Sequence, residues 1–270
     1  MLYIVAALSA EARPIVEKYR LKRVHSLPFT LFENEEIKLI ISGMGILNAM
    51  MATSALLGHC PPNENDLLVN IGICAAPKNF KIGEALLIHK INYKEHSYFP
   101  DILFEHQLKE SDILSVDEPV ENVLQTPADM ESYGVYKAAS RFFRTHQILF
   151  FKVVSDHFEP QAVTKELAQE LISKNMQDLE QVLSSARYVI KKGEIFTADE
   201  KELIQEISEQ LTKAQSDRFV DACYYYKFHR GQPLYQKGTL HESGIKLPDE
   251  KLSKLQRSEY LEQLIKTLTL

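Results

Sequence analysis

Apolar residues in this chain gather in short unbroken runs rather than in strict alternation. Leu2–Leu8 is the first run, closed by Ser9, a side chain suited to N-cap the helix that opens at Ala10-Glu11-Ala12. Pro14 falls near the first turn of that helix, where a missing N–H is tolerated. Ile37–Ile41 predicts a second strand ending at Ser42-Gly43-Met44-Gly45, and Ile46–Leu57 reads as a helix rich in Ala, Met and Leu. Leu67–Ile71 is a third strand ending in Gly72, and Ala85–Ile91 a fourth after the Gly83-Glu84 turn. Met130–Phe143 has helical spacing, with Met130, Val135, Ala138, Ala139 and Phe142 on one broad face. Gln147–Val154 is another near-continuous apolar strand, followed by Ser155-Asp156.

Strands that are apolar throughout and separated by helices imply a sheet covered on both faces, a three-layer α/β/α arrangement. In such sheets functional groups sit just past the carboxyl ends of the strands. Ser9 and Glu11, Ser42 to Gly45, Gly72, and Ser155 with Asp156 all fall at such exits, so one crevice could receive them. After about Arg187 the pattern changes. Leu203, Ile207, Leu211 and Ala214 recur at helical spacing among many charges, and an aromatic segment, Phe219–Phe228, follows. A loop with Gly231, Pro233, Gly238 and Gly244 then leads to a final amphipathic helix, about Asp249–Leu268. The expected organisation is one α/β domain over residues 1–188 and a helical extension over 189–270, whose role the pattern does not assign.

Composition narrows this reading. The 270 residues are 45% hydrophobic and 25% charged, an ordinary balance with enough material for a core. No run approaches the roughly 20 apolar residues of a membrane span, and the first strand lacks the basic leader of a signal peptide. The formal charge of −6 argues against a general nucleic-acid binder. The aromatic run Tyr224-Tyr225-Tyr226 with Lys227, His229 and Arg230 reads as packing rather than as a base-stacking strip. Cys60, Cys74 and Cys223 show no CxxC spacing and no clustering with histidine, which fits a reduced, cytoplasmic compartment. His89, His96 and His106 lack ligand spacing, so no metal is expected, and no cofactor motif is present.

Three segments carry the chemistry. TPADMESYGVYKAASRFFRTHQILFFKVVSDHF, over 126–158, places a Met-Glu pair ahead of a helix and a Ser-Asp pair at a strand end. VAALSAEARPI sets Glu11 just past the first strand, and ISGMGILNAMMATSALL puts a glycine turn before a helix. Together they resemble the purine nucleosidase and nucleoside phosphorylase family. The opening is similar to that of the methylthioadenosine/S-adenosylhomocysteine nucleosidases, and the compact stretch from SYFPDIL to SVDEPV looks closer to the futalosine-hydrolase and hopanoid-associated branches. The resemblance covers about two-thirds of the chain and implies a central mixed, largely parallel sheet. It implies that Glu131 holds the sugar hydroxyls with Met130 against the ribose, that Asp156 is the acid toward the purine, and that Glu11 activates water. Ser42, Gly43 and Gly45 match the segment whose backbone lies near the nucleophile. Gly72 belongs to the Asn-x-Gly strand, and Ser155 to the Ser-Asp pair.

These residue types suit cleavage of an N-glycosidic bond. The departing base needs an acid, the oxocarbenium-like sugar needs a carboxylate, and the attacking water needs a base. Taken singly, Glu11 reads as a first-turn acid beside a helix dipole, Asp156 as a turn residue and Met130 as core. Their order on successive strand exits favours a shared site. Departures from the family are Ile73-Cys74-Ala75-Ala76 where small residues and glycines are common, Gly83-Glu84 in place of Gly-Asp, and a short stretch between Glu84 and Met130. Cys74 near the base pocket reads as a small apolar filler. The expected activity is hydrolysis that releases the base from a purine nucleoside or 5′-modified purine nucleoside. The alternatives are a phosphate-dependent purine nucleoside phosphorylase, kept open by Arg13, and a non-catalytic nucleoside-binding sensor. Water or phosphate is the expected co-substrate. The resemblance and the apolar Ile46–Leu57 helix suggest a homodimer.

Overall fold

The computed structural model describes residues 1–192, 196–230, 234 and 252–269. They divide into two compact units, Met1–Ile190 and Lys191–Leu270. In the first unit the strands are β1 (Leu2–Ala6), β2 (Lys22–Val24), β3 (Thr30–Glu33), β4 (Ile37–Ile41), β5 (Leu67–Ala75), β6 (Ala85–Tyr93), β7 (His96–Tyr98), β8 (Lys109–Ser115), β9 (Ala128–Asp129) and β10 (Ile148–Asp156). The helices are α1 (Ser9–Lys18), α2 (Ile46–His59), α3 (Ser132–Ala139), α4 (Lys165–Lys174) and α5 (Met176–Lys192).

β1 pairs in parallel with both β4 and β5, and β5 pairs in parallel with β10. The β2–β3 and β3–β4 pairs extend one side of this sheet in antiparallel fashion. On the other side β10 pairs with β6, β6 with β8, β8 with β9, and β9 returns to β5. The strands β5, β10, β6, β8 and β9 thus close into a ring, which leaves no edge on that side of the sheet. The sheet is mixed, with its central pairings parallel.

Alternate side chains of each central strand enter opposite cores, as a pleat requires. Leu2, Ile4, Val69, Ile71, Leu149 and Phe151 pack with α1, α4 and α5 on one face. Tyr3, Val5, Leu68, Phe150 and Val154 pack with α2 and α3 on the other. This is the three-layer α/β/α arrangement, and double-sided burial is why the strands read as continuous apolar runs.

Several sequence expectations need correction. Ser9 is the first helical residue of α1 rather than its cap; the preceding Leu8 N–H is taken instead by the Glu11 carboxylate. Pro14 lies beyond the first turn, inside α1. β5 runs on past Gly72 to Ala75, held by pairing with β10 on one side and β9 on the other. α3 begins only at Ser132, because Ala128 and Asp129 are drawn into β9 and Glu131 takes the N-cap position. Phe142 is 43% exposed, and Phe143 enters the core in its place. β2, β3, β7, β8 and β9 were not anticipated; they are short, or mix polar with apolar positions, and depend on neighbouring strands.

In the second unit α6 (Ala198–Glu209), α7 (Lys213–Arg230) and α8 (Lys254–Thr269) surround a core of Phe196, Leu203, Ile207, Phe219, Leu261, Leu264 and Leu268. The aromatic segment is the second half of α7, where Tyr224 meets Phe196 edge-on with ring centroids 4.8 Å apart. Glu200 is wholly buried and accepts hydrogen bonds from Thr197 N–H (2.8 Å), Lys227 Nζ (2.9 Å) and Leu234 N–H. The Gly231-Pro233-Gly238-Gly244 loop lies outside the described residues.

One close contact ties fold to site. Gly134 of α3 lies so near α2 that an added Cβ would stand 2.2 Å from the Ile46 carbonyl oxygen. Gly134→Ala should therefore cost at least about 2 kcal/mol, since backbone cannot yield as a side chain does. A chemical-denaturation midpoint unchanged in that variant would contradict the packing.

Candidate active site

The exits of β1, β5 and β10, with the start of α3, enclose a cavity of about 250 Å³. Glu11, Met130, Glu131, Ser155 and Asp156 all line it. Met44 reaches it from the turn ahead of α2. Ser42, Gly43, Gly45 and Gly72 are not among the lining residues.

Glu11 lies in the first turn of α1 and is 3% exposed. Its Oε2 accepts the N–H groups of Ala7 (3.1 Å) and Leu8 (2.8 Å), and its Oε1 accepts Ile73 N–H (3.0 Å). Burial pushes its carboxyl up from the ordinary range, while these N–H donors and Lys152 act against the rise. Gly72 stands opposite Lys152 in the β5–β10 register. A Cβ on Gly72 would lie 3.0 Å from Glu11 Oε1 and 3.4 Å from Lys152 Nζ. Glycine here leaves room for both charged groups to reach the same spot.

Glu131, at the N-cap of α3, accepts Gly45 N–H at 2.9 Å through Oε1. The turn ahead of α2 is thereby joined to the start of α3. Burial first, and then the charge of Asp129, raise the Glu131 carboxyl to about 7, with Lys152 and the Gly45 N–H opposing. Ser42 supports the same turn from within, its hydroxyl donating to the Gly43 carbonyl at 2.8 Å.

Ser155 and Asp156 are neighbours on one strand, where a regular pleat would send them to opposite faces. The β10–β5 register shifts between Val154 and Asp156, and that irregularity lets both reach the cavity. The Ser155 hydroxyl lies 2.6 Å from Asp156 Oδ1, and Asp156 Oδ2 accepts Glu159 N–H at 2.8 Å. His157 turns away and sets its Nδ1 2.8 Å from the Ala76 carbonyl. Cys74 lines the cavity, buried, with its thiol pushed well up by desolvation. That environment disfavours a nucleophilic thiolate.

Two residues passed over in the sequence hold this arrangement together. Lys152, in the middle of β10, is 1% exposed, and its Nζ lies 2.8 Å from Asp129 Oδ2. Burial alone would lower its ammonium group, but Asp129, Glu131 and Glu11 together hold it above its ordinary range. Asp129 also accepts from Ser115 Oγ (2.9 Å), Ser132 N–H (3.0 Å) and Ser132 Oγ (2.6 Å). The available signal was Lys152 itself, one charge inside the run Ile148–Val154, where a strand covered on both faces requires a buried partner. The remaining wall, also unforeseen, comes from Val116, Pro119 and Val120 after β8 and from Phe158, Pro160 and Val163 after β10.

No family model matches this chain, and no curated protein does. Solved structures do. The fold of the first unit is shared with solved nucleosidases. The 5′-methylthioadenosine/S-adenosylhomocysteine nucleosidase of Streptococcus pneumoniae, solved with a transition-state inhibitor, superposes with a TM-score of 0.58 at 17% identity, over 68% of this chain and 98% of that one. The Arabidopsis thaliana 5′-methylthioadenosine nucleosidase gives 0.57 at 18% identity, over 68% and 95%. The Colwellia psychrerythraea nucleosidase, solved with adenine, gives 0.56 at 14%, over 68% and 94%.

Lys152→Met should destabilise the chain by about 3–5 kcal/mol, because it strands Asp129 in the interior as an unpaired charge. The double variant Lys152→Met/Asp129→Asn should recover part of that loss. Equal urea midpoints for the single variant and the parent chain would show that the pair is not the anchor described here.

Proposed function

We propose that this protein hydrolyses the N-glycosidic bond of a purine nucleoside or 5′-modified purine nucleoside and releases the base. The observation that carries the proposal is the convergence of Glu11, Glu131 and Asp156 on one cavity from three separate parts of the chain. The structural neighbours support it: they are nucleosidases of methylthioadenosine and S-adenosylhomocysteine, and a Helicobacter pylori variant holds 5′-methylthioadenosine in its active site.

In this reading Glu131 binds the ribose hydroxyls and stabilises positive charge as the sugar becomes oxocarbenium-like, with Met130 against the ring. Glu11 orients a water and accepts its proton as the oxygen bonds to the anomeric carbon. The glycosidic bond breaks with its electron pair passing to the base, and Asp156 supplies the proton or hydrogen bond the base needs to leave. Ser155 and Glu159 N–H hold Asp156 in place. Lys152 lets Glu11 and Glu131 carry charge side by side.

Water rather than phosphate fits the wall. No Arg or Lys lines the cavity among the described residues, and the Glu11 carboxylate would repel phosphate. Arg13 is paired with Glu17 at 2.7 Å on the outside of α1, where both side chains are more than half exposed.

Base release from methylthioadenosine, S-adenosylhomocysteine, adenosine, inosine and futalosine tests the reading. At least one should yield free base at a rate independent of phosphate. Asp156→Asn and Glu11→Gln should each lose on the order of 10²–10⁴-fold in kcat. Glu131, raised to about 7, must ionise to work, so kcat/KM should climb with pH through that value and fall on the acid side. Phosphate dependence would make the protein a phosphorylase, and binding without release would make it a sensor.

The finer expectations rest on two further features. Met44, Leu47 and Met51 are 60%, 72% and 54% exposed, and Leu47 and Met51 share one face of α2. A second copy of the chain would cover this apolar stripe, giving a homodimer. Sedimentation should show a dimer that Leu47→Glu/Met51→Glu converts to monomer; a monomeric parent chain would remove this reading. The free thiols of Cys60 and Cys74 accord with a reducing, cytoplasmic compartment.

A further inference from the structure

Glu131 occupies the N-cap position of α3, yet its side chain does not cap the helix. A residue at that position ordinarily folds its side chain back to accept an N–H from the second or third helical residue. The Glu131 backbone carbonyl accepts Val135 N–H at 3.0 Å, as an N-cap requires. Its carboxylate turns instead to the cavity and to Gly45 N–H at 2.9 Å.

The first-turn N–H groups of α3 are satisfied from elsewhere. Ser132 N–H, first in the helix, donates to Asp129 Oδ2 at 3.0 Å, and Tyr133 N–H, second, donates to Ser115 Oγ at 2.9 Å. Ser115 is the last residue of β8, and the two-residue strand β9 sets Asp129 beside it in register. The same Ser115 hydroxyl donates to Asp129 Oδ1 at 2.9 Å. It thus spends its one proton on the carboxylate and a lone pair on the helix. Ser115 is 2% exposed, so neither group has solvent as a ready substitute.

Tyr133 N–H is a donor that the Glu131 carboxylate would itself take in an ordinary N-cap. We propose that Ser115 is a positioning residue: as a substitute cap contributed by β8, it keeps the Glu131 carboxylate off its own helix and turned into the cavity. The proposal rests on the nucleosidase reading given above. In that reading Glu131 binds the sugar hydroxyls, which it could not do while its carboxylate closed the end of α3.

The test uses the full chain with two substitutions. Ser115→Ala removes the hydroxyl, and Ser115→Cys keeps the volume while offering sulfur, a weak acceptor. Amide hydrogen exchange by NMR reads Gly45 N–H, which lies on a different element and loses its acceptor only if the Glu131 carboxylate moves to its helix. Exchange at Gly45 should quicken about tenfold or more in each variant. The kcat/KM for base release, on the nucleoside the parent chain cleaves fastest, should fall about tenfold or more. Urea unfolding shows whether each variant folds; if the Ala variant does not, the Cys variant decides. Faster exchange confined to Tyr133, with Gly45 unchanged, would overturn the proposal by showing Ser115 to be a structural cap alone. Parent-like kcat/KM despite faster Gly45 exchange would overturn it as well, because the carboxylate would then not need to be held. A parent chain that releases no base would remove the nucleosidase reading, and Gly45 exchange in the variants would still decide whether Ser115 directs the Glu131 carboxylate.

Discussion

Placing an ammonium group in the middle of a strand whose neighbours are all apolar is unfavourable unless a carboxylate meets it there, and Asp129 does so at 2.8 Å from Lys152. Much of the first unit is arranged around that contact. Asp129 is reached by Ser115 at the end of β8, by Ser132 at the start of α3 and by Lys152 from β10, so three elements converge on one buried carboxylate. The same cation faces Glu11 and Glu131, and its charge offsets part of the rise that burial imposes on both. Without it, three carboxylates would share a dry space with no counter-charge.

The contact also explains how distant segments come into register. Asp129 holds the first turn of α3, which sets Glu131 at its N-cap, and Glu131 in turn binds Gly45 N–H ahead of α2. Gly134 allows α2 and α3 to approach closely enough for that bond to form. Gly72 does the equivalent service in the sheet, leaving space for Glu11 and Lys152 to meet across β5. Helix packing, strand register and the positions of the acidic groups are thus consequences of one another.

How much of this was legible in advance depended on whether the relevant force is local. The central strands were legible because each is apolar on both faces, as a buried parallel sheet demands. Ser155 and Asp156 stood out because polar residues follow an apolar run. The direction in which Asp156 points was not legible, since it depends on an irregular register against β5. β8 and β9 were passed over because Lys109–Ser115 mixes polar with apolar positions and Ala128–Asp129 is only two residues long. Lys152 was visible as a charge in the wrong place, yet its partner, 23 positions away, was not identifiable from spacing.

The sequence by itself determined the order of the main strands and helices, the break in character near the end of the first unit, and the candidacy of Glu11, Glu131 and Asp156. The elements and the break follow from side-chain polarity read along the chain, which acts over a few residues. The three carboxylates became candidates through the resemblance of their segments to the nucleosidase family, together with their order on successive strand exits. Only the tertiary structure decided that these carboxylates share a cavity, that Lys152 and Asp129 hold it from beneath, and that Phe158 enters its wall through a left-handed turn. Such features depend on contacts between residues far apart in sequence: the chain shows Lys152 as a charge that needs a buried partner, but only the fold brings Asp129 to it.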